Sequence, residues 1–442
     1  MALHDEEMNK RREKREAQRK RQQAQMRRMR RTAVLAALVL IVCGVGIWRL
    51  TRQFQSSQEP SQQSAVQTEA TEEATKATSP LQRNPITTVH LRAAGDLNVT
   101  DSVISAGVAV SGYDYSGVFK DVSSVLSDAD LTVLNFEGNI YGQPYGSATT
   151  SAPYELLESL RRCGVDLIQM ANSCTINNGL NGLTATLQSI RSAGMEPVGA
   201  FASEAEFNKA KGYTITEAQG IKIAFVAFTK GLGGRGLPAG NEHLVNLLYE
   251  DYDSTYETLD KDQIETILRN VEAEKPDIVV ALVHWGSEYN EYSEDTSRSQ
   301  NSLITLMQKY GVDIILGTHP HTLQPIVFDK AKGTLVAYSL GDFFGDASRG
   351  GTNYSIILDV EITKDTTSGT TKVTGYSYTP IYTVTESEAP DKKRRVVRIE
   401  EALDAYEGNY LDKVTATCKD SMEYALQRIK ERIALPVEED KK

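Results

Sequence analysis

Cysteine is scarce in this chain of 442 residues, and its cysteines follow no familiar pattern. One of the four, Cys43, lies in an apolar run that cannot belong to a soluble core. The other three, Cys163, Cys174 and Cys418, are an odd number, and no Cys-x-x-Cys pair occurs. These features argue against a disulfide framework and against a thiolate zinc site.

Two common enzyme motifs are also missing. Ser339 is not in a Gly-x-Ser-x-Gly turn, and no glycine-rich phosphate loop ends in Lys-Ser or Lys-Thr. A serine hydrolase of that type and a P-loop nucleotide enzyme therefore lack support. The glycine-rich stretch 231–236 is interpreted as a plain loop, and a lid over a site is the alternative.

Basic residues are concentrated at the beginning of the chain. Residues 1–31 hold 12 Lys and Arg against 5 Asp and Glu, so the rest of a chain whose total charge is −11 carries −18. An acidic body lacks the clustered basic face that neutralises phosphates, and nucleic acid is therefore excluded as a partner.

An apolar run without a charge occupies residues 32–48, between Arg31 and Arg49. This length only just crosses a bilayer, and the alternatives are a buried core helix or a cleaved signal peptide. We predict a transmembrane helix, because the preceding basic stretch is long and no small-x-small cleavage site follows at once. The positive-inside rule then places 1–31 in the cytoplasm and the main domain outside the cell membrane.

The remaining chain divides into three parts by composition. Residues 49–86 are rich in Ser, Gln, Thr and Glu and are predicted to be a flexible, disordered linker. From 87 to 385, short apolar runs alternate with helical patterns, which is typical of stacked β-α units. Residues 386–442 are predicted to form a charged helical extension packed on the domain, with a solvated coil as the alternative.

Polar residues with metal-ligand character follow the predicted strands, where open α/β sheets place their sites. Asp96 and Glu137 follow the first two strands, and His284, His319 and His321 follow two later ones. Three histidines at strand ends, together with two carboxylates, favour a metal site over isolated structural histidines. An extended His-Pro-His segment would point both of its imidazoles the same way.

The donor types restrict the metal. Mixed carboxylate and imidazole ligands suit Zn²⁺, Mn²⁺ or Fe rather than Ca²⁺, and the choice among these three stays open. Two such ions together would support metal-assisted hydrolysis of a phosphoryl or carbonyl compound.

Five motifs in this chain occur in a characteristic order. They are Ala94-Gly95-Asp96, Asn135-Phe136-Glu137, Val283-His284-Trp285-Gly286-Ser287-Glu288-Tyr289, Gly317-Thr318-His319-Pro320-His321 and Tyr338-Ser339-Leu340-Gly341-Asp342-Phe343. In these motifs the chain resembles the CapA/PgsA group of capsule and poly-γ-glutamate synthesis proteins, a branch of the calcineurin-like metallophosphatase superfamily. The resemblance covers roughly residues 89–382.

The resemblance implies a metallophosphatase-like α/β fold, a four-layer α-β-β-α sandwich with its site at one end of the sheets. It also implies roles for individual residues. The predicted metal ligands are Asp96, Glu137, Asn172, His284, His319 and His321. The predicted catalytic residues are Cys174, His284 and Glu288, with Glu288 orienting a ligand histidine, and the predicted substrate contacts are Trp285, Tyr289 and Asn139.

The chain departs from the family at two places. The family pattern Leu-Ala-Asn-Asn-His is here Met170-Ala171-Asn172-Ser173-Cys174, so Ser173 replaces an asparagine ligand and Cys174 replaces the proton-donating histidine. The usual Gly-Asn-Phe is here Gly341-Asp342-Phe343. Loss of a positioned general acid costs about 10²–10⁴ in rate, so we expect weak hydrolysis. Cys174 is interpreted as a small buried residue rather than a nucleophile.

The function implied by the resemblance is that of a membrane-anchored extracytoplasmic protein acting in synthesis, export or anchoring of a poly-γ-glutamate-like capsule polymer. Its expected partners are the membrane and the polymer or its synthase subunits. Two alternatives stay open: a dinuclear metal-dependent hydrolase of phosphoester or amide bonds, and a catalytically degenerate scaffold that binds the polymer or a partner.

Overall fold

The structure is a computed structural model that describes residues 85–435 apart from 291, 293, 390, 392 and 409–413. The predicted tail 1–31, the predicted transmembrane helix 32–48 and residues 49–84 of the linker lie outside the described residues. Within the described part of the chain, no helix is long and apolar enough to cross a membrane.

Two β-sheets form the centre of a mixed α/β fold. In chain order their strands are β1 (Ile86–Asn98), β2 (Leu131–Glu137), β3 (Leu167–Gln169), β4 (Glu196–Val198), β5 (Tyr213–Ala218), β6 (Ile221–Thr229), β7 (Ile278–His284), β8 (Ile314–Thr318), β9 (Ile326–Asp329), β10 (Thr334–Ala337), β11 (Asp342–Phe344), β12 (Tyr354–Asp365), β13 (Thr370–Val384) and β14 (Arg395–Arg398).

The first sheet has the order β14-β13-β12-β1-β2-β3-β4, and β11 pairs with the end of β1. Strands β1 to β4 are parallel, whereas β12 and β13 continue the sheet antiparallel. The second sheet has the order β5-β6-β7-β8-β10-β9, with β6, β7, β8 and β10 parallel. Parallel neighbours bring their last residues to one edge, and polar residues occupy that edge in both sheets.

The sequence of β6 shows how the sheets pack. Ile221, Ile223 and Phe225 belong to the same buried cluster as residues of the first sheet. The alternate residues Val226 and Phe228 belong to a second cluster formed with helices. Because successive side chains of a strand point to opposite faces, an apolar run buries both faces of this strand.

Helices cover the sheets. In chain order they are α1 (Asp101–Ala106), α2 (Ser116–Ser127), α3 (Tyr154–Arg162), α4 (Gly179–Ser192), α5 (Glu204–Ala210), α6 (Lys261–Ala273), α7 (Glu294–Lys309), α8 (Ile399–Glu407) and α9 (Ala416–Ile433). Helices α6 and α7 bury Ile264, Leu268 and Met307 against the second sheet. On the first sheet, α2 lies against β14, and α9 lies against β12 and β13.

Four aspartates precede parallel strands and tie each strand to its neighbour. Asp130 accepts a hydrogen bond from the backbone N–H of His90, and the other three make the same contact across the sheets. These are Asp166 with Thr132, Asp277 with Lys222 and Asp313 with Val279. Each carboxylate satisfies an N–H at the start of the strand ladder, which stabilises the register.

The strands and helices predicted from the apolar patterns of residues 87–385 are present, with ends that differ by at most five residues. The elements that the patterns miss include the short helices α1 and α5 and the short strands β9 and β11. Residues 395–398, in the predicted helical extension, add strand β14 to the first sheet, and helix α8 ends at Gly408.

Candidate metal centre

Asp96 lies at the middle of the site because the first sheet surrounds it. In the ladder of β1, Asp96 is opposite Asn135 of β2 on one side and opposite Asp342 of β11 on the other. Its backbone N–H donates to the carbonyl oxygen of Gly341 at 2.9 Å. A Cβ on Gly95 would lie 1.8 Å from that oxygen, so this approach requires glycine at residue 95.

The histidines come from the second sheet. His284 ends β7 opposite Thr318 of β8, and the chain then turns through His319, Pro320 and His321. The expectation of an extended His-Pro-His segment is wrong, because φ is +92° at His319 and +58° at His321. A left-handed turn brings the two imidazoles to the site instead. Positive φ at non-glycine residues costs energy and is concentrated at functional sites.

The five carboxylate and histidine residues expected at strand ends meet in one place. Two groups of three residues can be distinguished, and within each group the donor atoms lie within 4.8 Å of one another. Both groups contain Asp96. One group adds Glu137 and His284, and the other adds His321 and Asp342. His319 contacts the first group, because its ring centroid lies 4.5 Å from that of His284 and its backbone N–H donates to Oδ2 of Asp96 at 3.1 Å. All of these side chains are buried.

The structure therefore adds one acidic residue that sequence reasoning did not assign to the site. Asp342 follows Gly341 at the end of an apolar run, just as Asp96 follows Gly95. That repeated Gly-Asp pair was the signal in the sequence. Oδ1 of Asp342 lies 2.7 Å from Nδ1 of His321.

Neighbouring polar groups orient the ligands. Thr318 Oγ1 lies 3.1 Å from Nδ1 of His284, and Asp342 holds Nδ1 of His321, so both imidazoles keep Nε2 for another partner. Asn135 donates to Asp96 at 2.6 Å and to Glu137 at 3.4 Å. Hydrogen bonds of this kind fix the ring orientation of metal-bound histidines. Thr318 thus has the orienting role that was predicted for Glu288.

Burial and mutual charge shift the pKa values of the whole cluster. Burial lowers the pKa of His284 well below its usual range and that of His319 to about 3, so both imidazoles are neutral. Burial also raises the pKa of Glu137 well above its usual range. For His321, burial lowers the pKa, but nearby carboxylates outweigh burial and hold it well above its ordinary value. Neutral imidazoles and carboxylates packed this closely suit a cation.

The loop after β3 differs from its predicted role. The amide oxygen of Asn172 accepts the N–H of Cys174 at 3.0 Å, and its amide nitrogen donates to the carbonyl oxygen of Phe136 at 2.8 Å. In this geometry the Asn172 side chain holds the loop, and a ligand role is not supported. Ser173 reaches the histidines instead, with Oγ 2.9 Å from Nε2 of His284 and 3.5 Å from Nδ1 of His319.

Cys174 is buried beside this cluster. Burial raises the pKa of its thiol far above the ordinary value of 9.0, and the charge of Glu137 raises it further. A thiol that stays neutral across the physiological range is a weak proton donor and a weak nucleophile. The interpretation of Cys174 as a small buried residue agrees with this environment, whereas a catalytic role does not.

Three predicted contact or orienting residues have other roles. Trp285 is buried among the residues between the second sheet and its helices and donates Nε1–H to the carbonyl oxygen of Tyr338 at 2.8 Å. Asn139 is buried, and its amide oxygen accepts N–H groups of Asn178. Glu288 is exposed, and no hydrogen bond joins it to a histidine of the described chain.

Tyr289 does lie at the centre. Its ring stacks on the imidazole of His321 with 5.3 Å between ring centroids and an interplanar angle of 21°. Its φ is +60°, and its backbone N–H donates to the carbonyl oxygen of Pro320 at 2.9 Å. This partly buried tyrosine forms one side of the site.

The donor set fits a divalent metal ion. Three carboxylates and three imidazoles are buried, each in contact with at least one other member of the set, and His284 and His321 each have Nδ1 held by a neighbour. Transition metals prefer such mixed oxygen and nitrogen ligands. The sharing of Asp96 between the two groups is compatible with one ion or with a pair.

The fold and the site define a mixed α/β protein with a buried carboxylate and imidazole cluster at the meeting edges of two sheets. A family model described as bacterial capsule synthesis protein PGA_cap matches residues 90–347, more than half of the chain. The chain belongs to this family.

Two relatives carry related descriptions. The chain is 29% identical over 282 residues to the PGA biosynthesis protein CapA of Bacillus subtilis (strain 168). The matched region covers 62% of this chain and 67% of that protein. The chain is 28% identical over 242 residues to the capsule biosynthesis protein CapA of Bacillus anthracis, and this match covers 53% of this chain and 54% of that protein. The similarity thus spans about half to two thirds of each relative.

Solved structures similar to this chain include phosphatases. A phosphatase from Mycoplasma pneumoniae matches with a TM-score of 0.42 and 15% identity, covering 67% of this chain and 94% of that one. The calcineurin-like phosphoesterase YfkN from Bacillus subtilis matches with a TM-score of 0.42 and 17% identity, covering 67% of this chain and 91% of that one.

Proposed function

We propose that this chain is a membrane-anchored, extracytoplasmic protein that acts in the synthesis, export or anchoring of a capsule polymer, one of poly-γ-glutamate type. Membership of the PGA_cap family and the descriptions of the two Bacillus relatives support this proposal. Its body would be a four-layer α-β-β-α sandwich that carries a centre for Mn, Fe or Zn, with one or two ions.

The convergence of Asp96 with Glu137, His284, His321 and Asp342 is the observation that carries the metal centre. These residues come from five separate stretches of the chain, and a stability role alone does not account for burying so many of them together. Buried charges without partners cost several kcal/mol each, whereas a bound cation would offset that cost.

A bound divalent ion at this place would supply Lewis acidity toward a carbonyl or phosphoryl oxygen. The chain's own residues would hold the ligand and exclude water from it. Thr318 would keep His284 in one orientation through Nδ1, Asp342 would do the same for His321, and Ser173 would give up its contact with Nε2 of His284 to the ion.

The second candidate is a dinuclear metal-dependent hydrolase of amide or phosphoester bonds. The two donor groups that share Asp96 favour it. The neutral, buried thiol of Cys174 in place of a proton donor favours the scaffold alternative, in which the centre binds polymer or synthase subunits without cleaving them. The polymer, its synthase subunits and the membrane are the proposed partners.

Metal analysis of the full-length protein in detergent tests the proposal. We expect about one or two ions per chain after incubation with Mn²⁺ or Zn²⁺ and removal of the excess. The variant Asp96→Asn should lose most of this metal, and Glu265→Gln, which removes a carboxylate from the exposed face of α6, should keep it. Wild-type protein with no retained metal would contradict the metal centre.

The capsule role needs a cellular measurement. Cells that lack the gene should lose cell-associated polymer, and expression of the wild-type chain should restore it while Asp96→Asn should not. Protease added to intact cells should digest the main domain if it lies outside the membrane. Normal polymer in the deletion strain, or a protected main domain, would count against the function or the topology respectively.

A further inference from the structure

The guanidinium of Arg349 lies over the ring of Tyr289 at the centre. Its carbon atom Cζ is 3.9 Å from the ring centroid. The same tyrosine ring stacks on the imidazole of His321, with 5.3 Å between the ring centroids. A guanidinium, a phenol and an imidazole therefore lie close together, and the imidazole contacts Asp342.

The backbone holds this arrangement in place. Tyr289 is bonded through its N–H to Pro320, inside the turn that carries both histidines. The segment before Arg349 is held by Arg394, which donates to the carbonyl oxygens of Gly345 at 3.1 Å and Asp346 at 2.7 Å. Arg394 is buried and pairs with Glu386. A side chain that is positioned before it binds a ligand loses less entropy on binding.

Arg349 differs from Arg269, which also lies over a tyrosine ring. Arg269 lies over Tyr310 at 5.0 Å and also pairs with Glu265 at 3.3 Å. Among the described residues, the guanidinium of Arg349 has no carboxylate within 4.0 Å and donates no hydrogen bond to the protein. Stacking covers the face of a guanidinium but leaves its N–H groups directed outward in the ring plane. Those N–H groups match the two oxygens of a carboxylate or a phosphate.

We propose that Arg349 binds an oxyanion of the ligand at the mouth of the centre, with Tyr289 as its platform. This inference rests on the proposed function, because it assigns a ligand contact to the same site. Arg349 lies just beyond residues 90–347, which match the family model. The oxyanion is a carboxylate, as in an acidic polymer, or a phosphate, and the experiment distinguishes the two.

Calorimetry on the full-length protein in detergent, loaded with Mn²⁺, tests the proposal with inorganic phosphate and with glutarate as separate probes. We expect Arg349→Gln to weaken the binding of at least one probe about tenfold, the scale of a hydrogen bond to a charged group. Arg349→Lys should retain part of the affinity, because lysine keeps the charge but lacks the paired donors. The probe that loses affinity identifies the class of oxyanion.

Arg269→Gln is the matched control, since it removes the same charge from the same kind of stack at a paired arginine. It should leave both affinities unchanged. Tyr289→Leu should reduce the affinity a few fold by removing the platform. Equal affinities in wild type and Arg349→Gln, or binding of neither probe by wild type, would overturn the proposal.

Mn²⁺ binding, followed by electron paramagnetic resonance, separates this inference from the proposed function. If Arg349→Gln binds Mn²⁺ normally and loses oxyanion affinity, both proposals stand. Normal Mn²⁺ binding with unchanged oxyanion affinity overturns only the role of Arg349. If the wild type binds no Mn²⁺, the metal centre fails, and the same comparison on metal-free protein decides whether Arg349 binds the oxyanion.

Discussion

His321 and Asp342 join the two sheets at the site, with Nδ1 of the imidazole 2.7 Å from Oδ1 of the carboxylate. His321 lies in the turn after β8 of the second sheet, and Asp342 begins β11 beside Asp96 in the first sheet. The other ring nitrogen of His321, Nε2, lies on the side of Glu137, 3.9 Å from its Oε2. One ion pair therefore orients a ligand and closes the edge where the sheets meet.

Replacing Asp342 by asparagine should weaken metal binding. The variant Asp342→Asn keeps an acceptor for His321 but removes one negative charge from the cluster. Loss of a group that orients a metal-bound histidine typically costs about 10–100-fold in affinity, and we expect a loss of that size. Competition with a metal indicator measures it. Glu265→Gln, which removes a charge from the exposed face of α6, should have wild-type affinity. An unchanged affinity in Asp342→Asn would mean that Asp342 is not part of the centre.

Introducing histidine at residue 174 should raise any hydrolytic rate. The buried thiol of Cys174 is too weak an acid to protonate a leaving group, and a positioned general acid is worth about 10²–10⁴ in rate. We expect Cys174→His to hydrolyse a phosphodiester in Mn²⁺ at least about tenfold faster than wild type. Cys174→Ala should match the wild type. A folded Cys174→His variant with normal metal content and no gain would show that the missing acid does not limit the reaction.

A methyl group at residue 95 should disrupt the centre. In Gly95→Ala the new Cβ would meet the carbonyl oxygen of Gly341 at 1.8 Å, a position that the Asp96 N–H bond requires. Forced overpacking costs roughly 1–3 kcal/mol, and we expect a loss of that size in the free energy of unfolding together with lower metal content. Urea unfolding and metal analysis measure the two effects.

Gly117→Ala is the control for this change. A Cβ at residue 117 meets nothing within 4 Å, and alanine is the better helix former in α2. This variant should be as stable as the wild type or slightly more stable. If Gly95→Ala behaved like Gly117→Ala, the close approach of β1 to Gly341 would not constrain the site.

Stability should depend on pH through Asp313. Burial raises the pKa of its carboxyl from 3.8 to about 6 in the folded protein. Between pH 4 and pH 6 the folded state binds more protons than the unfolded state. The stabilising contribution of the Asp313 carboxyl to the free energy of unfolding is therefore fully present below about pH 4 and is lost as the pH rises through 6. Asp313→Asn keeps an acceptor for the N–H of Val279 and carries no charge. We expect it to raise the free energy of unfolding by about 1–2 kcal/mol at pH 7, and by less at pH 4.

Asp277→Asn is the matched control. Asp277 accepts the backbone N–H of Lys222, as Asp313 accepts that of Val279, but Asp277 also forms an ion pair with Lys364 at 2.7 Å. It should not stabilise the protein at pH 7. Urea unfolding at both pH values measures the two variants. A destabilised Asp313→Asn at pH 7 would show that the carboxylate is preferred to the amide at that place.

Much of the site could be predicted because its residues stand at the ends of apolar runs. Asp96, Glu137 and His284 are each adjacent to buried strand residues, and parallel strands deliver their last residues to one edge. Asp342 was not assigned as a ligand although it follows an apolar run, because the sequence does not show that it begins β11, a strand of three residues that pairs with β1 beside Asp96. Trp285 was misassigned because one face of β7 is covered by helices, and the sequence does not say which face its neighbour joins.

The sequence by itself determined the order of the strands along the chain, the residue types available to a cation, and the family. These depend on local patterns, since apolar periodicity sets each element and motif order sets the resemblance. Tertiary structure alone decided which polar groups meet: Asp342 with His321, Ser173 with His284, and Arg349 with Tyr289. The pairing of the two sheets and the left-handed turns at His319 and His321 bring these groups together, and no single stretch of sequence encodes contacts between residues so far apart along the chain.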